Sequence, residues 1–221
     1  MRPAAPAAVV LLLAWPSVGQ AGSTWGPMPV HGWFQAEAGQ DALRDQVGLT
    51  FPLSPDAAVA TSLVLSNTAV ELQAGVTLQF GALDLMLLAG LERRFGASTF
   101  GLVPELHVVI EAPPLPVYLE SWVRVGVHSP FDATGTDDCL TRSFLLVNIK
   151  RWVSVGPQTE VGWVLGGPLT SLPVGARANF RVNGHLGLGL FAGWETQAAG
   201  RTSGLVVTPG PVGRATVDVT W

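Results

Sequence analysis

The chain has 221 residues, enough for one domain or at most two, yet only 13% are charged where about 25% is usual, 26 are glycine, and the mean hydropathy is +0.38. A net charge of -4 with no cluster of Lys and Arg excludes a nucleic-acid partner, because nothing is present to neutralise phosphates. A single cysteine, Cys139, rules out an internal disulfide framework and is expected to be a plain loop thiol.

The first segment reads as a secretory signal rather than as part of the fold. Arg2 supplies the positive start, Ala7 to Trp15 the compact apolar stretch, and Gly19 and Ala21 the small positions before a cleavage point. Residues 1–21 are therefore expected to be a signal peptide and 22–221 a single domain, with no cysteine placed to carry a lipid. Beyond this point the longest apolar stretch is LMLLAGL (Leu85 to Leu91), far short of the roughly 20 residues a spanning helix needs. An exported chain this apolar and without such a helix points to the other structure that satisfies every backbone polar group inside a bilayer, the closed β-barrel.

The period-two signature of such a barrel recurs along the chain. HGWFQAEAG, RDQVGLTF and AAVATSLVLS are three weaker runs before Val70. AVELQAGVTLQF then sets Val70, Leu72, Ala74, Val76, Leu78 and Phe80 on one face against Glu71, Gln73, Thr77 and Gln79. LDLMLLAGLE follows after Gly81-Ala82, a plausible tight hairpin. In FGLVPELHVVIE the mid-strand Pro104 cannot donate to a ladder and predicts a bulge. VYLESWVRVGV, then Phe144 to Val153 and Thr159 to Gly166, continue the series. PVGARANFRV and HLGLGLFAGWE flank Asn183-Gly184, a strong short hairpin signal, and Leu205 to Trp221 closes it. The reading is an all-β, up-and-down antiparallel barrel of about twelve strands, or ten if the first runs merge.

Turn lengths alternate. Gly81-Ala82, Ala112 to Pro116 and Asn183-Gly184 are expected at one end, and the longer Arg93 to Thr99, His128 to Arg142 and Thr196 to Pro211 at the other. Trp33, Trp163, Trp194 and Trp221, with Trp152 beside them, are expected near strand ends or on outward faces as an aromatic belt.

The last nine residues, GRATVDVTW, put Ala215, Val217, Val219 and Trp221 on one face and Arg214, Thr216, Asp218 and Thr220 on the other. Together with the export signal and the amphipathic runs, this terminal strand resembles those of bacterial outer-membrane β-barrel proteins, including small porin-like members. The resemblance implies a place in the outer membrane among its lipids. It also implies that Val217, Val219 and Trp221 form the signal read by the barrel-assembly machinery, and that short turns and both termini face the periplasm. Phosphate-cradling glycine loops and zinc spacings are absent, so no cofactor is expected.

The inward faces would gather Glu71, Asp84, Glu92, Glu105, Glu111, Glu120, Glu160, Glu195 and Asp218 with Arg124, Lys150, Arg177, Arg181 and Arg214, and His107 beside Glu105. Opposite charges in an enclosed interior must pair or hydrate. They are read either as a salt-bridged filling or as the lining of a narrow pore for small solutes. A secreted soluble barrel holding an apolar ligand would reverse the faces, with aliphatic rows inward and charges outward.

An outer-membrane lipid hydrolase is the third reading. The phospholipase and deacylase barrels carry Ser two residues after the catalytic His, whereas the four histidines here are followed at that distance by Trp33, Val109, Pro130 and Gly187. His128-Ser129 are adjacent and would come together only through a loop. DATGTDD (Asp132 to Asp138) gathers three carboxylates, but without the complete spacing of a calcium loop it is read as a solvated segment, so no metal site is expected. The residues carry nothing on oligomeric state.

Overall fold

A computed structural model describes residues 30–39, 43–96, 99–111, 116–132, 135–196, 201–202, 205–206 and 209–221. The expected signal peptide, most of the Ala112 to Pro116 turn and part of the Thr196 to Pro211 loop lie outside the described residues.

The strands are β1 (His31–Gly39), β2 (Leu43–Ser54), β3 (Ala57–Ser66), β4 (Ala69–Phe80), β5 (Leu83–Arg94), β6 (Gly101–Glu111), β7 (Val117–Gly126), β8 (Asp138–Lys150), β9 (Val153–Val164), β10 (Leu169–Ser171), β11 (Pro173–Arg181), β12 (Leu186–Glu195), β13 (Arg201–Thr202), β14 (Leu205–Val206) and β15 (Gly210–Thr220). β13 and β14 pair only with each other. The other thirteen form one antiparallel sheet in which β10 hangs on β9 alone, leaving twelve staves. β8 pairs with β9 and β1 with β15, so the ring closes and no stave has a free edge.

The alternation in the sequence becomes inside and outside. Leu72 and Leu91 are 64% and 51% exposed, whereas Gln73 and Glu105, one residue out of phase with this apolar face, are 1% and 3%. Leucines and valines facing out around buried acids and arginines are the reverse of a soluble barrel, and fit a surface wetted by hydrocarbon. Exposed Trp152, Trp221 and Phe80 mark one end of the apolar band, and Trp194, Phe95 and Phe100 the other. Trp33 departs from the expected belt. Its ring turns into the lumen and lies where a Cβ on its cross-strand neighbour Gly48 would stand, so that glycine provides the room.

Other expectations are corrected at strand boundaries. Cys139 is buried in β8, not in a loop, because β8 begins at Asp138 rather than Phe144 and pairs with β7 from Gly126 onward. β8 stops at Lys150; Arg151 and Trp152 make the turn, and β9 starts at Val153, six residues before the expected Thr159. Pro104 makes no bulge. It pairs in register with Ala89, and on its other side the β6–β7 ladder simply lapses between Glu105–Arg124 and an isolated Leu102–Val127 bridge. Asn183-Gly184 does mark a hairpin, but Val182 N donates to Leu186 O, bringing His185 into the turn. Asn183 Oδ1 accepts from the amides of His185 and Leu186. Arg93 and Arg94 belong to β5 rather than to the following loop.

Candidate functional site: the lumen

Because side chains alternate, each stave sends about half its residues into the barrel, and twelve staves leave an interior between a packed core and an open pore. Here the middle of that interior is crossed by charge pairs. Arg142 on β8 binds Glu37 on β1 with Nη1 to Oε2 at 2.5 Å and Nη2 to Oε1 at 2.8 Å. Its Nε lies 2.8 Å from Glu160 Oε1 on β9, and Arg214 on β15 also holds Glu160. Two acids and two arginines from four staves thus brace the lumen.

A second group lies towards the long-loop end. Arg124 on β7 contacts Glu71 on β4 at 3.2 Å and Asp138 on β8 at 3.7 Å, and also pairs with Glu92 on β5. Arg94 joins Glu92 to Asp138 at 2.8 and 2.7 Å. A chain of neutral side chains extends this second group along the wall. Ser62 Oγ donates to Gln73 Oε1 at 2.6 Å, and Gln73 Nε2 donates to Glu71 at 2.5 Å and to Glu105 at 2.8 Å. Gln46, Gln73, Gln158, Glu37, Glu71, Glu105 and Glu160 are all buried, so these side chains crowd the waist and leave water little access to them. Ion pairs hold in so enclosed a space because every carboxylate there also has further partners.

Below the waist, towards the short turns and the terminal Trp221, the lumen widens to a vestibule of about 780 Å³. Asp84, His107, Glu120 and Asp218 line it, together with Arg177, Tyr118, Trp122 and Phe144. A rim cavity of about 550 Å³ shares Tyr118, Asn179 and Asp218 with the vestibule and is edged by Lys150 and Arg181. The residues expected to line the interior therefore sort by height: Glu71, Glu105 and Arg124 in the waist, Arg177 between waist and vestibule, and Lys150 and Arg181 at the exposed mouth.

Five charged residues central to the waist were not picked out in the sequence. Glu37 and Arg44 lie in the weak early runs, Arg94 and Arg142 fall within the expected loops, and Asp138 belongs to the acidic run 132–138. The alternation Gln35, Glu37 against Phe34, Ala36, Ala38 was a usable signal for Glu37. For Arg142 the register with β9 was required.

At the far end, the described part of the loop after β7 folds around Asp137. Its carboxylate accepts from the His128 and Ser129 amides at 2.7 and 2.8 Å and from Ser129 Oγ at 2.6 Å. The hydroxyl and amide bonds from Ser129, then the His128 amide, hold this carboxyl below the usual aspartate range. The His128 ring turns inward instead, with Nε2 3.3 Å from Glu92. Burial, then the neighbouring Arg94 charge, depresses its basicity. Ser129 and His128 thus face different partners and form no nucleophile-base pair. Among the described residues no group of three His, Cys, Asp or Glu is placed to hold a metal ion.

The closed ring, the lipid-facing aliphatic surface and the charged interior define a bilayer-spanning β-barrel of the bacterial outer-membrane type. Solved structures agree on the fold. A KdgM porin in complex with disordered oligogalacturonate superposes with a TM-score of 0.52 at 7% identity, covering 86% of this chain and 98% of that one. The NanC porin gives 0.52 at 8% identity, over 86% and 99%. No family model and no curated protein matches the sequence.

Proposed function

We propose that this chain is a porin-like channel for small solutes in the bacterial outer membrane, without enzymatic activity, whose waist is held closed by ion pairs that must part for conduction. The observation that carries this reading is the grip of Arg142 on Glu37 across a lumen that opens below it into a polar vestibule and mouth. A barrel serving only as a membrane scaffold has no need of a vestibule continuous with a charged rim. By the same reading the terminal strand, through Val217, Val219 and Trp221, engages the assembly machinery that inserts the barrel.

Planar-bilayer recording on refolded protein is the test. Small, infrequent openings are expected from the native chain, with larger ones once Arg142 is shortened. Silence from both would leave a structural barrel and reject the channel.

A further inference from the structure

We propose that the floor of the vestibule is a binding site for a small oxyanion, a carboxylate or a phosphate, received at the edge of the stacked Arg44 on β2 and Trp122 on β7. The donors and acceptors around this cavity are unequally satisfied. On the acceptor side, Glu120 takes the Tyr118 hydroxyl at 2.5 Å, Asp218 takes Gln35 Nε2 at 2.8 Å, and Glu105 takes Gln73 and His107. On the donor side, Arg44 Nη2 and Trp122 Nε1 are both buried and have no hydrogen-bond partner. Both residues line the cavity.

An unpaired buried donor costs free energy that a ligand acceptor would return. Trp122 is only 5% exposed, so water does not freely supply that acceptor. Arg44 stacks over the Trp122 ring with its guanidinium carbon 4.7 Å from the centroid, which holds the two side chains against each other. Its nearest carboxylate, Glu105, stands 4.0 Å off and is occupied by Gln73 and His107, leaving the Arg44 charge incompletely neutralised.

Arg177 adds to the excess. Its guanidinium donates to Asn179, Gln158 and Thr216, all neutral, and lies 4.6 Å from the Phe144 ring. Arg142, by contrast, donates from both terminal nitrogens to the two carboxylate oxygens of Glu37. The remaining acids of the cavity, Asp56 and Asp84, belong to or adjoin the short turns at its open end rather than its floor. At the floor a cation would meet acids already bonded, whereas an oxyanion would meet two unpartnered donors.

The site does not depend on conduction, so it is tested without a conductance. Calorimetric titration of the refolded full-length barrel in detergent would use sodium phosphate and sodium malonate in separate arms, against sodium chloride at matched ionic strength. Saturable binding of one or both oxyanions is expected, with affinity falling about tenfold in Arg44→Gln and about threefold in Trp122→Phe, which keeps an aromatic face beneath Arg44 and removes the indole N–H together with its five-membered ring. Lys150→Gln at the rim should leave it unchanged. Heat-modifiable migration checks that each variant folds, and if Arg44→Gln does not, Trp122→Phe carries the test. No saturable signal with either anion overturns the proposal. So does an equal loss in Lys150→Gln, which would place binding at the mouth.

Discussion

Arg142 reaches Glu37 from a stave five places away around the shorter arc of the ring, and the bidentate contact closes the lumen at that height. Shortening it in Arg142→Ala should leave Glu37 and Glu160 facing one another with only Arg214 between them. Single-channel conductance is expected to rise severalfold with a bias towards cations, since uncovered carboxylates would line the opening. Stability should fall by about 3–5 kcal/mol, the usual effect of breaking a buried pair from one side. Urea titration in lipid vesicles measures the second effect, and unchanged currents alongside intact folding would contradict the first.

Gly75 occupies an inward position where a Cβ would stand 1.8 Å from the Leu87 carbonyl oxygen, a backbone atom that cannot swing aside. Gly75→Ala should destabilise the barrel by at least about 1–3 kcal/mol. Gly187 differs, because its nearest neighbour would be Asp218 Cβ at 3.7 Å. Gly187→Ala is expected to remain within about 0.5 kcal/mol of the native protein. Equal effects from the two substitutions would show that backbone approach is not what Gly75 provides.

His128 gives the loop end a pH dependence. Its folded basicity is depressed, so between that value and the ordinary histidine value of about 6.5 the unfolded chain binds more protons. Stability from this group is therefore complete above about pH 6.5 and is lost as pH falls through the folded value. Glu92, Asp138, Arg94 and Arg124 all face the ring, and the imidazolium would crowd the two arginines. His128→Gln should flatten the stability profile below about pH 6.5, as read by thermal melts of the detergent-solubilised barrel. A native profile already flat there would refute the assignment.

Trp221 covers Gly32 on the outer surface, and the two residues exchange backbone hydrogen bonds at 2.9 and 3.0 Å. Trp221→Ala should reduce the folded fraction recovered from outer membranes severalfold, while refolding into pure lipid vesicles falls much less. Heat-modifiable migration reports both. Equal losses would mean that the indole acts only through packing and not as an address for assembly.

Much of the barrel was legible because a lipid-facing surface and a polar interior impose a strict period of two. His31–Gly39, Ala57–Ser66 and Ala69–Phe80 are bounded where the alternation begins and ends. β8 starts before the expected Phe144, a start hidden in the sequence because Leu140, Arg142 and the Asp132 to Asp138 cluster break the clean apolar and polar rhythm that marks a strand. The bulge expected from Pro104 failed for a related reason. Proline costs a hydrogen bond, but whether the chain yields by bulging or by leaving a gap in one ladder depends on the neighbouring strands.

The sequence by itself determined the all-β class, the alternation of faces and the approximate strand number, since these follow from residue spacing along a single stave. Only the tertiary structure decided that Arg142 meets Glu37 and that Arg44 and Trp122 share a cavity with their donors unspent. Those meetings depend on ring closure and on the stagger between strands, which bring together residues whose separation along the chain carries no local signal.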